Sequence, residues 1–226
     1  MTGTLYGVGV GPGEAELMTL KAVRIIRACE LIAVPKSGDG ERVALNIAKS
    51  AVPEVEEKEL LELSMPMTRD KALLEKSHRE AADLVCEKLR EGKNIAFLTL
   101  GDPTVYSTYI YVHNLVKKQG FEPVIVPGIP SFCAVAARLS TSLTEASQPL
   151  HIIPASYEGT EDYLSLTGTK VLMKTGKSLE KVREMLKEKG LYENARMVQN
   201  CGMADEKVYE KLDDADAGYF SIIVVK

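Results

Sequence analysis

The sequence predicts an α/β fold in two domains, and three observations carry the prediction. Short apolar runs alternate with stretches of helical period through the first half. Turns bearing glycine or proline follow the apolar runs, at GVGVGPG (7–13), LGDPT (100–104) and VPGIPS (126–131). A second set of shorter apolar runs begins after residue 120, so the 226 residues divide into a domain over 1–118 and another over 119–226.

Residues 3–10 read as a buried strand ended by the glycine loop. Leu17, Leu20, Ala22, Val23, Ile25 and Ile26 recur at helical spacing within 17–29. LIAVP (31–35) is a short strand stopped by Pro35, and ERVALNIAKSAV (41–52) a second helix. Residues 70–91 read as a long helix with Leu74, Ser77, Ala81, Leu84, Val85 and Leu89 along one face, and Gly92 suits a left-handed cap. NIAFLTLGDP (94–103) is a buried strand meeting a turn, and TVYSTYIYVHNLVKKQG (104–120) a helix. This alternation predicts a mostly parallel sheet with helices on both faces. FEPVIVPGIPSF (121–132) restarts the pattern as strand, turn and helix. Strands are expected near 150–154, 169–173, 195–199 and 219–225, with SLEKVREMLKEKG (178–190) as a helix among them.

Hydrophobic residues make up 45% of the chain and charged residues 27%, the balance of a globular protein with a real core. A net charge of -4 argues against a broad basic surface for nucleic acid, while local Arg and Lys can still hold a small anion. Four cysteines with no CxxC pair and three histidines give no zinc spacing, so the cysteines read as buried and reduced and no metal site is expected. MTGTLYGV lacks the basic start of a secretory leader, and no run approaches the roughly 18 apolar residues of a membrane span. A cytoplasmic protein without membrane or nucleic-acid partners is expected.

The glycine loop invites a dinucleotide reading and fails it. In GxGxxG, a start at Gly7 puts Pro12 in the sixth position and a start at Gly9 puts Glu14 there. Pro12 also lacks the N–H that a pyrophosphate would need. The second strand ends Val34-Pro35-Lys36 rather than on an acid for the ribose; a lysine could suit a 2′-phosphate, which weakens NADP without excluding it. KTGKS (174–178) lacks the phosphate-loop glycine, because Val171 stands five before Gly176; it reads as a strand, a turn and a capping Ser178. LGDPTVYST (100–108) and PGIPSF (127–132) sit where strands give way to helices, the edge at which open α/β sheets bind ligands. Each is weak alone.

Together, GVGVGPGEAELMTLKAV, GDPTVYST and VPGIPSFCAVAA resemble the tetrapyrrole methylase family over the whole chain. The resemblance implies two αβα domains with a cofactor cleft between them, S-adenosyl-L-methionine as cofactor, and a homodimer. SMPMTRD (64–70), VLMKTGKS (171–178), QNCGM (199–203) and YFSIIVV (219–225) are similar to the members that methylate C20 of precorrin-2 or cobalt-precorrin-2 in cobalamin biosynthesis. By the resemblance, Val10, Pro12, Gly101, Asp102, Val105, Ser107 and Thr108 would meet the cofactor, Asp102 as the polar anchor. Ser131, Phe132, Met173, Lys174, Asn200, Cys201, Gly202, Ser221 and Ile222 would follow from the second domain. Val105 and Ile222 read equally as core, and Met173, in an apolar strand, reads more readily as core than as a contact. Cys201 has no basic neighbour in sequence and is not read as a nucleophile.

Lys36, Arg69 and Tyr106 are the substrate-side candidates, the two cations for the carboxylates of the macrocycle, although each also reads as a solvated charge. Family members acting on uroporphyrinogen often carry an aspartate after the second strand; Pro35-Lys36 stands there, which leaves the proton acceptor unassigned. The alternatives are methylation at another ring carbon or of a diphthamide precursor, an NADP-dependent oxidoreductase, and a non-catalytic tetrapyrrole carrier.

Overall fold

The structure, a computed structural model, describes residues 2–36, 42–157, 159–215, 218 and 220–226. The chain forms two compact units, Met1–Pro130 and Ser131–Lys226. The division falls after the boundary expected at 118/119 for a definite reason. Residues Val124–Val126 form a strand that pairs with the first strand of the chain, so the restart at 121 completes the first sheet.

The first unit runs β1 (Leu5–Gly9), α1 (Leu20–Ala28), β2 (Leu31–Lys36), α2 (Val43–Ala51), β3 (Glu59–Ser64), α3 (Lys71–Arg90), β4 (Ile95–Thr99), α4 (Tyr109–Lys118) and β5 (Val124–Val126). Its sheet has the order β3-β2-β4-β1-β5 and is parallel throughout. Both faces are covered, which is why β4 is apolar from Ile95 to Leu98. Ala96 and Leu98 pack with Ile26 and Leu45 from α1 and α2, while Ile95 and Phe97 pack with Val85 and Tyr109 from α3 and α4. The helices start where the sequence supplies caps. Thr19 Oγ1 accepts the Ala22 N–H at 3.1 Å, and Asp70 Oδ1 accepts those of Ala72 and Leu73 at 2.9 and 3.2 Å. Gly92, with φ +83, ends α3 as expected.

The second unit contains α5 (Ser131–Arg138), β6 (Leu150–Pro154), α6 (Thr160–Leu164), β7 (Thr169–Met173), α7 (Leu179–Glu188), β8 (Ala195–Gln199), β9 (Lys207–Tyr209) and β10 (Ser221–Val225). Its sheet is mixed, in the order β6-β7-β10-β8-β9. β6 and β7 are parallel, and β10 runs antiparallel to both of its neighbours. Leu164, Leu172, Val182, Leu186, Met197 and Ile223 form its core. α5 lies against β8 and β10, burying Phe132, Val135 and Ala136 outside that cluster.

Several expectations are corrected here. The helix expected over 104–120 begins only at Tyr109, because Tyr106 has φ +49, outside the helical region. β3, β9 and α6 were not expected; in β3, Leu61 and Leu63 are buried while Glu59, Glu62 and Ser64 face outward on an edge strand. Ser178 precedes α7 but makes no side-chain capping bond. Cys29 and Cys86 are buried, whereas Cys133 is exposed and Cys201 half-buried. Burial, with Glu30 nearby, pushes the Cys29 thiol up to about 12. Tyr219 of YFSIIVV lies outside the described residues, and the strand is assigned from Ser221.

Candidate active site

In the first unit the chain leaves β1 toward β2 and leaves β4 toward β5, on opposite sides of this adjacent pair. An open parallel sheet binds ligands above such a reversal, at the carboxyl ends of its strands. The loops there are pinned to each other. Gly11 and Gly101 form a bridge, with Gly101 N–H donating to Gly11 O at 2.7 Å and Gly11 N–H to Gly101 O at 3.3 Å. Both have positive φ, +79 and +70. A Cβ on Gly9 would stand 2.6 Å from Gly101 O and from Gly128 N, and one on Gly128 would stand 2.1 Å from Gly101 O. The glycines of GVGVGPG and VPGIP therefore let three strand-end backbones meet. Gly7 answers a different neighbour, the Tyr109 ring, which a Cβ would meet at 2.1 Å.

Asp102 ties this cluster together. Oδ1 accepts the Thr104 N–H at 2.8 Å and the Thr104 hydroxyl at 2.5 Å. Oδ2 accepts the Gly128 N–H at 2.9 Å. The residue is 7% exposed, and three of the roughly four lone-pair positions of its carboxylate face the protein. Asp102 thus holds the loops after β4 and β5 to one another.

The other candidates of this unit lie on the same edge. Val10 and Pro12 are buried, Val10 within the core below the loop, so only its backbone faces the turn. Val105 is half-buried, Tyr106 is exposed, and Thr108 is exposed ahead of α4. Ser107 Oγ accepts the Tyr109 N–H at 3.1 Å, so this hydroxyl starts the helix. At the β2 and β3 end, the Lys36 ammonium meets Glu62 Oε2 at 3.1 Å, and Arg42 also meets Glu62. Hydrogen bonding to Lys36 and the two nearby cations hold the Glu62 carboxyl below its usual range. Arg69 is exposed on the loop that follows β3.

The candidates of the second unit gather along one edge of its own sheet. That edge holds the carboxyl ends of β7 (Met173, Lys174) and β8 (Asn200, Cys201, Gly202) and the start of β10 (Ser221, Ile222). Asn200 N–H donates to Phe220 O at 3.0 Å, and Asn200 Nδ2 to Asp205 Oδ2 at 2.6 Å. Thr175 Oγ1 donates to Ser221 O at 3.4 Å, so a residue of the KTGKS decoy steadies the start of β10. Ser131 and Phe132 open α5. Ile222 and Phe132 are buried.

Two further properties mark these edges. Tyr106, Lys174 and Asn200 all have positive φ, at +49, +58 and +52, and such backbone collects at functional sites. The hydroxyls of Thr99 and Ser221 are buried without a protein hydrogen-bond partner, and each stands at the site edge of its sheet. A buried orphan hydroxyl and a cradle of glycine backbone suit a ligand with many hydrogen-bonding groups, such as S-adenosyl-L-methionine. The described residues hold no cluster that could bind a metal ion.

Sequence reading missed Glu206, Thr175 and Gly128 as supports of these loops. Only Gly128 carried a local sign, the Pro-Gly turn after an apolar run.

Residues 4–216 match the family of tetrapyrrole (corrin/porphyrin) methylases. A probable cobalt-precorrin-2 C(20)-methyltransferase of Methanocaldococcus jannaschii is 37% identical, over 98% of this chain and 95% of the relative. The cobalt-precorrin-2 C(20)-methyltransferase of Salmonella typhimurium is 31% identical over 100% and 97%. The precorrin-2 C(20)-methyltransferase of a Sinorhizobium species is 30% identical over 99% and 95%. Among solved structures, a cobalt precorrin-4 methyltransferase has a TM-score of 0.77 at 23% identity, covering 98% of this chain and 94% of its own. The uroporphyrin-III C-methyltransferase of Thermus thermophilus, solved with S-adenosylhomocysteine, has a TM-score of 0.74 at 18% identity, covering 99% and 97%.

Proposed function

We infer the reaction from one premise: the chain belongs to the tetrapyrrole (corrin/porphyrin) methylase family. It is an S-adenosyl-L-methionine-dependent C-methyltransferase. It methylates C20 of precorrin-2 or cobalt-precorrin-2 in cobalamin biosynthesis, giving the corresponding precorrin-3 and S-adenosylhomocysteine. What carries this reading is end-to-end similarity to relatives named for that step, at 30–37% identity.

S-adenosyl-L-methionine supplies a methyl group activated on a sulfonium. In the proposal, the chain supplies placement. Asp102 fixes the loops after β4 and β5 to one another, so the backbone around Gly101 is presented to the cofactor without rearrangement. Asn200, Cys201, Gly202 and the buried Ser221 hydroxyl offer further groups from the second unit. Lys36, Arg69 and Tyr106 serve the tetrapyrrole, the two cations meeting its carboxylates. The meso carbon of a partly reduced tetrapyrrole is already electron-rich, so no base is needed to create the nucleophile. Alignment alone can contribute roughly 7–11 kcal/mol. The same proposal includes a homodimer in the cytoplasm. No described helix is long and apolar enough to cross a membrane. Cobalt, if present, arrives inside the substrate, and the cobalt form is preferred here.

The test is mass spectrometry of anaerobic reactions with S-adenosyl-L-methionine and either metal-free or cobalt-bearing precorrin-2. One added methyl in the cobalt reaction, placed at C20 by NMR, is expected. Cofactor binding with no added methyl in either reaction would discard the C20 assignment.

A further inference from the structure

The carboxylate of Glu206 gathers the turn that follows β8. Its Oε2 accepts the Gly202 N–H at 2.8 Å, and its Oε1 accepts from Arg138 Nε on α5. The turn needs such support, because Asn200 has positive φ, +52, which a residue with a Cβ adopts at a cost, while Gly202 takes its +77 freely. The Glu206 side chain is 19% accessible against 55% for Arg138, so the carboxylate is shielded while the guanidinium remains open to water. Burial pushes the Glu206 carboxyl up, but the Gly202 N–H, Arg138 and Cys201 outweigh it and hold it below the usual carboxylate range. A surface ion pair alone would matter little. A shielded carboxylate that joins the turn, through the Gly202 N–H, to a helix, through Arg138, sets the shape of that turn.

We propose that Glu206 is the positioning residue of the cofactor turn: it fixes Asn200–Gly202 in the geometry that binds S-adenosyl-L-methionine, touching neither cofactor nor tetrapyrrole itself. The proposal rests on the methyltransferase reading and on the place of this turn at the cofactor.

The experiment compares wild-type chain with Glu206→Gln by calorimetry with S-adenosylhomocysteine and by steady-state kinetics. Gln keeps the size and one acceptor but loses the charge facing Arg138. The Kd for S-adenosylhomocysteine and the KM for S-adenosyl-L-methionine should rise roughly tenfold, as for loss of a charged hydrogen bond. The kcat at saturating cofactor and the KM for tetrapyrrole should stay near wild type. Glu206→Asp should recover part of the affinity. Arg138→Gln, which spares the bond to the turn, should lose less than Glu206→Gln.

In wild type, S-adenosylhomocysteine should shield Cys201 from iodoacetamide, read by peptide mapping with the exposed Cys133 as reference. An unchanged Kd in Glu206→Gln, with Cys201 shielded in wild type, overturns the role of Glu206 and leaves the cofactor reading intact. Binding that leaves Cys201 unshielded removes the turn from the site and overturns the proposal. Absence of wild-type binding overturns both readings. Parallel losses for both substrates, with early melting, mark a purely structural residue and overturn it as well.

Discussion

The Asp102 carboxylate accepts the Gly128 N–H at 2.9 Å across 26 residues of sequence. A residue after β4 thereby holds the loop after β5, and its other oxygen keeps its own loop folded through Thr104. Asp102→Ala removes the acceptor of the Thr104 and Gly128 N–H groups and should cost about 1–3 kcal/mol of stability. It should also weaken S-adenosyl-L-methionine binding by loosening the loops. Denaturant unfolding and calorimetry read the two effects; unchanged cofactor affinity would take Asp102 out of the support of the site.

Gly128→Ala should be worse than its single added methyl suggests. The new Cβ would stand 2.1 Å from Gly101 O and 2.9 Å from Gly9 Cα. Backbone cannot swing aside as a side chain does, so the cost should reach or exceed the usual overpacking range of about 1–3 kcal/mol. Gly120→Ala is the control: nothing lies within 4 Å of its Cβ, and only its φ of +87 opposes the change. Thermal melting should rank Gly128→Ala well below Gly120→Ala, with cofactor binding lost only in the former.

Lys36→Glu should raise the KM for tetrapyrrole and spare cofactor affinity. Lys36 stands at the end of β2 against Glu62 of β3, so the reversal places two carboxylates together where substrate carboxylates are expected. The pair is largely solvated, so the melting point should move little. Equal losses for cofactor and tetrapyrrole would end the substrate role of Lys36.

Acid should destabilise the first unit through its histidines. His78 is 8% exposed and stacks on Tyr111 with ring centroids 4.7 Å apart. Burial holds its imidazole below the usual range. His113 is lowered by burial and by Lys117. The unfolded chain therefore takes up protons first, and stability falls as pH drops below about 6.5, levelling once the folded imidazoles charge. Denaturation midpoints between pH 7.5 and pH 5 should show this slope, and His78→Gln should flatten it. An equal slope in that variant would assign the effect elsewhere.

The sequence revealed most where one segment decides its own structure. The alternation in the first half, the left-handed cap at Gly92 and the failure of GVGVGPG as a dinucleotide loop needed no knowledge of distant residues. What stayed hidden depends on contacts far apart in the chain. Gly9 is small because Gly101 and Gly128 lie against it, and nothing in residues 7–13 says so. β3 escaped notice because Leu60 and Leu61 stand side by side in ELLELS and break the alternation that marks a half-buried strand. The helix expected from 104 was delayed by the left-handed Tyr106, a choice its side chain does not advertise. Apart from Ser131 and Phe132, which open α5, the candidate residues of each unit lie at one sheet edge, but the loop-spanning bonds of Asp102 and Glu206 emerge only from their partners.

The position of β10 has a consequence for synthesis. All five strands of the first sheet precede residue 130, so that sheet can close early as the chain emerges. The second sheet cannot. Its last strand in sequence is its middle strand, lying between β7 and β8. Until Ser221–Val225 leave the ribosome, β6-β7 and β8-β9 are two separate pairs, each with an open apolar edge. Nascent chains halted before residue 221 should therefore carry a finished first unit and a sticky, unfinished second one, the form most in need of a chaperone.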